Sequence, residues 1–192
     1  MTSLEYDTIW NRYFKIEAHS EDETRYFDYT VYNQDFSAES HYKYILDHRG
    51  IRLAEIEVNS NENKLTPGTI EHQRIFEWDL QKGDQHTSLL RFNNLLGDST
   101  AITISSTTEY EGTCKKSSYK DTKLPTISFS RVVTKTHKNT TNTSEGISYY
   151  AKGIGYYRSH IIYNDQIEFD EVLTKILTIG EWDTLTKTIQ LD

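Results

Sequence analysis

The sequence predicts a mainly β fold: a strongly curved antiparallel sheet, or incomplete barrel, of about nine or ten strands, with room for one short C-terminal helix. Three observations predict it. Side chains that suit a pleated, half-buried surface are abundant, with 14 Tyr, 7 Phe and 18 Ile, while Ala is scarce and the one Met is the first residue. Apolar and polar residues alternate with period two wherever a pattern is legible. Turn formers recur at the spacing of short strands in an all-β domain, roughly every 8–12 residues.

At 192 residues the chain reads as one domain, 1–192, with a half-boundary loop at 59–68. Leu, Ile, Val and Phe supply 44 of the 192 residues, above the ~20% level below which chains tend to stay unfolded. The elements follow in order. Tyr26, Asp28, Thr30 and Tyr32 alternate with Phe27, Tyr29, Val31 and Asn33, a strand with aromatic rings on both faces, fit to lie between two layers. Tyr42, Tyr44 and Leu46, then Ile51, Leu53, Ile56 and Val58, read as a hairpin about Asp47-His48-Arg49-Gly50. Asn59 to Gly68 collects turn formers and breaks the pattern. Arg74 to Leu80 alternates again, and Lys82-Gly83-Asp84 turns into a strand from Thr87 to Phe92. Ala101 to Tyr110 and Thr126 to His137 are further strands, the second carrying Ile127, Phe129, Arg131 and Val133 on one face. Lys138 to Glu145 reads as a polar tip, followed by a strand pair, Ile147 to Ala151 and Tyr156 to Tyr163, bent at Gly153 and Gly155. From Phe169 to Leu177 the spacing fits either a helix or a strand, and the neighbouring strands favour the latter.

The net charge of −8 repels phosphate backbones, so nucleic acid is not an expected partner. Charge is uneven: residues 1–40 hold nine acids and three bases, while 113–138 hold seven bases against Asp121 alone. Two solvated strand faces of opposite sign account for that asymmetry most simply. Cys114, the one cysteine, cannot form an intrachain bridge. No run approaches the ~18 apolar residues of a membrane helix. The chain is expected to be extracytoplasmic if a leader was trimmed and cytoplasmic if Met1 is native.

Chemistry is scarce. There is no GxSxG and no HExxH among the motifs. His41 and His48 flank the hairpin near Glu55 and Glu57, where chance proximity outweighs a metal site, and no metal or cofactor is expected. Cys114 beside Lys115 and Lys116 would favour a thiolate, but no histidine is near in sequence. Glu109 and Glu111 share a strand face without the geometry of a glycosidase pair. Tyrosine is the one surplus that asks for a reason. Tyr149-Tyr150 and Tyr156-Tyr157 flank the glycine bend and put one ring of each pair on either face of the sheet. Gly153 and Gly155 fit a bulge or close backbone approach, where a Cβ would clash or strain φ.

The run Gly146 to Tyr157, and within it Tyr150-Ala151-Lys152-Gly153-Ile154-Gly155, resembles the YAKGVG-like signature of uncharacterised Bacteroidetes-type secreted and lipoprotein β-domains. Asn94-Leu95-Leu96-Gly97-Asp98-Ser99 and Tyr110-Glu111-Gly112-Thr113 are similar to upstream features of that class, whereas its glycine-threonine-phenylalanine turn has no match in 120–126. The resemblance spans roughly residues 90–165 and implies a half-barrel like the periplasmic lipoprotein-carrier folds. It implies no catalytic residues.

The expected function is non-enzymatic binding of an apolar or amphipathic ligand, such as a lipid, on the concave face, with Tyr149, Tyr150, Tyr156, Tyr157, Trp78 and Phe129 as candidate ligand-binding residues. The alternative is a protein-interaction module using the acidic N-terminal third or the basic 113–138 region. An uncharacterised hydrolase stands third.

Overall fold

The computed structural model of the chain describes residues 11–22, 24–60, 64–72, 76–114, 118–119, 122–163 and 167–189. Strands β1 (Tyr13–Glu21), β2 (Thr24–Tyr32), β3 (Ala38–Asp47) and β4 (Gly50–Asn59) form an antiparallel meander, and β5 (Leu65–Pro67) pairs with the end of β4. The chain then crosses to a second sheet through β6 (Thr69–His72) and returns in β7 (Phe76–Glu77), which pairs with the start of β4. β8 (Gln85–Phe92), β9 (Ile102–Cys114), the small ribbon β10 (Ser118–Tyr119) and β11 (Thr122–Lys123), β12 (Thr126–His137), β13 (Thr140–Ala151), β14 (Gly155–Tyr163) and β15 (Ile167–Val172) follow, and helix α1 (Ile179–Ile189) comes last. The first sheet runs β1-β2-β3-β4-β5 and the second β15-β14-β13-β12-β9-β8-β6. Among the described residues neither closes into a barrel, and every pairing is antiparallel. Among the described residues ten strands have six or more residues, the rest being two- to four-residue pieces.

The period-two pattern decides what each face does. On the first sheet Ile16, Tyr29, Tyr42 and Ile56 form one register row from β1 to β4, with Phe14 and Val31 in the row on one side of it and Phe27, Tyr44 and Leu53 in the row on the other, all on the same face. The other face carries Lys15, Glu17, His19, Asp28, His41, Lys43, Glu55 and Glu57, many of them paired with one another. The apolar face packs on the second sheet. Leu53 and Ile56 of β4 meet Leu90 and Phe92 of β8, Ile102 of β9 and Leu95 in one core, in which Phe92 and Ile102 have no exposed surface. Fully burying such a side chain contributes about 1.5–3 kcal/mol. That core fills only the side of the interface where β4 faces β8 and β9.

Three expectations change. Of the strand from Arg74 to Leu80, residues 74 and 75 lie outside the described residues, and the rest is only the two-residue β7, because the Trp78 amide donates to Arg49 O at 3.2 Å and its indole to Asp47 O at 2.9 Å, which bends the chain onto the β3–β4 turn. The polar tip is only the turn Lys138-Asn139, with Lys138 at φ 54°, and Thr140 onward is β13, paired with β12 back to His137. Strand outweighs helix as far as Val172, and the helix begins at Ile179. Its start is a reciprocal cap: the Thr178 amide donates to Glu181 Oε2 at 2.9 Å, and the Glu181 amide to Thr178 Oγ1 at 3.3 Å. α1 is anchored by Trp182, whose ring lies 5.3 Å from those of Tyr32 and Phe36 and 6.3 Å from Tyr13. Among the described residues no helix is long and apolar enough to cross a membrane.

Candidate functional site: an aromatic cleft between the sheets

Away from the aliphatic core, the facing surfaces are lined by aromatic rings in a continuous chain of contacts. On the second sheet Phe129 lies 5.7 Å from Tyr150, and Tyr150 lies 5.8 Å from Tyr156, both edge-on. Tyr156 meets Phe14 of the first sheet at 6.2 Å. From there the contacts run along the opposite wall, Phe14 to Tyr29 at 5.6 Å, Tyr29 to Tyr42 at 5.8 Å and Tyr42 to Tyr44 at 6.2 Å. At the other end Phe76 of β7 bridges Phe129, at 5.6 Å, to Trp78, at 5.8 Å. Offset and edge-to-face rings at these distances attract one another beyond their burial by about 0.5–1.5 kcal/mol per pair.

A bulge builds this wall. β13 and β14 pair Tyr149 with Arg158 but Tyr150 with Tyr156, so Tyr157 is the extra residue. Strict alternation would put Tyr156 on the face of Arg158. The bulge turns it inward beside Tyr150 and Ser159. The adjoining bend is entered through Gly153 and Gly155, at φ 81° and 88°, where a Cβ would meet nothing within 4 Å. The requirement at both is for positive φ and not for space.

Tyr150 keeps 38% of its surface exposed, and burial raises its hydroxyl pKa, opposed by the Arg131 charge. Burial likewise raises the Tyr44 hydroxyl, helped by Tyr42 and Tyr150 and again opposed by Arg131, and it raises Tyr29, helped by its tyrosine neighbours. All three phenols stay neutral donors at pH 7. One side of the cleft is clamped electrostatically. Arg12, just before β1, pairs with Glu39 of β3 and, at 3.0 Å, with Glu171 of β15, tying the two sheets together. The Tyr156 hydroxyl donates to the same Glu171 carboxylate at 2.6 Å, and Ser159 Oγ lies 2.7 Å from that hydroxyl. Burial, then the bond to Glu171, raises the Tyr156 pKa.

Of the residues named from sequence, Phe129, Tyr150 and Tyr156 come together as one wall. Trp78 joins through Phe76, 52% exposed at the β3–β4 turn. Tyr149 and Tyr157 contact each other at 6.2 Å on the opposite face of the second sheet, away from the cleft. Sequence reasoning missed Phe14, Tyr29, Tyr42 and Tyr44, whose alternation was legible but whose facing partner was not, and also Arg131. His41 lies 3.6 Å from Glu57 and 3.4 Å from Asp28, whereas His48 sits in the turn against Arg49, so the two do not converge. Among the described residues no cluster of three metal-ligating side chains forms. Glu109 receives a bond from Gln85 at 2.7 Å. Lys115, Lys116 and Lys120 of the basic region lie outside the described residues. A separate open concavity of about 550 Å³ beside α1 is lined by Lys175, Leu177, Gly180, Glu181, Thr184 and Leu185. Comparison of the chain with protein-family models, curated proteins and solved structures finds no match.

Proposed function

We propose that the protein is a non-enzymatic binding domain that holds an apolar or amphipathic small molecule between its two sheets. The observation that carries this reading is the state of Tyr150, accessible over 38% of its surface although it lies within the ring chain linking the sheets. A cleft with flat apolar walls and a few inward polar groups is the usual form of a small-molecule site. Tyrosine suits it, presenting an apolar ring face and a hydroxyl that orients a polar group.

Native mass spectrometry of protein purified without detergent tests the reading. A bound mass of lipid size, lost in Tyr150→Trp, which fills the hollow, supports it. Protein that carries no adduct and takes up no amphiphile from a panel of lipids and detergents overturns it. The alternative, a protein-interaction surface on the acidic N-terminal third, is weakened by the internal pairing there: Asp28 meets His19 at 2.9 Å and His41 at 3.4 Å, and Glu55 meets Lys43 at 3.2 Å.

A further inference from the structure

The inward face of the second sheet is not uniformly apolar. Read row by row across β8, β9 and β12, it passes from Phe92, Ile102 and His137 to Leu90, Ile104 and Lys135, and then to Ser88, Ser106 and Val133. The next row is His86, Thr108 and Arg131, and beyond it lie Tyr110 and Phe129. On β8 and β9 a polar belt therefore separates the aliphatic core from the aromatic wall. The two serine hydroxyls lie 2.6 Å apart and satisfy one another. Arg131 on β12 does not reach that state. It is exposed, and among the described residues its one side-chain hydrogen bond is a 3.4 Å contact with Ser106 Oγ and no carboxylate lies within ion-pair distance of it. The inward carboxylate one row away, Glu171, is taken by Arg12. Two strands from Arg131, in the same row, His86 Nε2 is buried without a hydrogen-bond partner among the described residues. With strands about 4.8 Å apart, the two residues flank a gap of roughly 10 Å over Thr108, within reach of a guanidinium and an imidazole.

A cation placed in an aromatic-lined hollow without a counter-ion is complementary to an anionic ligand head, since a charge-assisted, two-pronged bond is the strongest contact such a group can make. We infer that the ligand of this cleft is an anionic amphiphile, a long-chain carboxylate whose head binds Arg131 with His86 as second contact and whose apolar body lies between the tyrosine walls. This rests on the proposed binding reading and adds the charge of the head group.

The test compares dodecanoate with 1-dodecanol, equal in chain length and different in charge, at pH 8 and below their aggregation limits, by calorimetric or fluorescence titration of wild type and Arg131→Gln. Dodecanoate is expected to bind wild type about tenfold or more tightly than dodecanol. Arg131→Gln should remove that preference and leave dodecanol binding within about twofold, which also shows that the variant is folded. Equal binding of the two probes to wild type, or a preference that survives Arg131→Gln, overturns the anionic head and leaves the cleft standing. Binding of neither probe overturns the cleft reading as well, so the two failures are distinguishable.

Discussion

Replacing Tyr156 with Phe removes one oxygen from the point where the two sheets are clamped, and should lower the free energy of unfolding by about 2 kcal/mol. The figure follows from the local geometry. A hydrogen bond to a charged group contributes about 1.5–3 kcal/mol, and this one is short, at 2.6 Å. Glu171 is 32% exposed and keeps its bond to Arg12, so water and Arg12 offset part of the loss and place the bond itself at the lower end. Ser159, 1% exposed, loses its 2.7 Å neighbour and retains only a 3.3 Å contact with the carboxylate, which adds to the cost. In a chain of this size about 2 kcal/mol corresponds to a fall in Tm of roughly 4–8 °C. The assay is urea unfolding at pH 7 of wild type, Tyr156→Phe, Glu171→Gln and the double variant. The midpoint should fall with an unchanged denaturant slope, and the cycle should give a coupling of about 1–2 kcal/mol. A single variant within about 0.5 kcal/mol of wild type, or strictly additive effects, would refute the reasoning.

Glycine substitutions separate steric need from conformational need. At Gly50 a Cβ would stand 1.9 Å from the Phe76 carbonyl oxygen, so Gly50→Ala must push β7 away from β4 and should cost roughly 2–4 kcal/mol. Gly153→Ala meets no atom within 4 Å and should cost only the positive-φ strain, about 1–2 kcal/mol, in the same denaturation assay. For Tyr29 and Tyr44 the folded pKa is raised above the unfolded value of about 10, so their contribution is complete below pH 10 and is lost as pH rises above it. Stability should decline above pH 10 by about 1.4 kcal/mol per pH unit for each tyrosine held neutral, and Tyr44→Phe should flatten that slope by one such contribution. Glu181 behaves oppositely: bonds from Thr178 and Lys175 pull it down to about 2, so its support of the helix cap is present above pH 4.5 and lost as pH falls through about 2. Trp182 emission should change over that acid range in wild type and already be altered at pH 7 in Glu181→Ala.

The longer strands from β2 onward were legible because period two recurs in separate stretches between Tyr26 and Tyr163, broken at 59–68, while β1 was not read from it. β12 begins at Thr126 and ends at His137, the bounds that the alternation of Ile127, Phe129, Arg131 and Val133 marks. The β3–β4 hairpin turns at His48-Arg49, inside the predicted Asp47–Gly50 turn. What alternation cannot supply is the identity of the facing layer. Tyr29, Tyr42 and Tyr44 were readable as one face, but nothing local says that this face meets Tyr150 and Tyr156. Register shifts are likewise invisible, and the extra Tyr157 is why Tyr156 lies on the opposite face from the one strict counting gives. The capping pair Thr178 and Glu181 had a local signature, a threonine followed three residues later by glutamate, outweighed by the strand-like spacing from Ile167 to Ile179.

The central claim is that the space between the sheets receives a guest, and ring resonances of selectively labelled tyrosine report on it directly. On addition of dodecanoate, signals of Tyr29, Tyr44, Tyr150 and Tyr156 should shift together and saturably, while Tyr149 and Tyr157, on the far face, stay in place. Shifts confined to Tyr149 and Tyr157, or no saturable shift in the four cleft tyrosines, would contradict it.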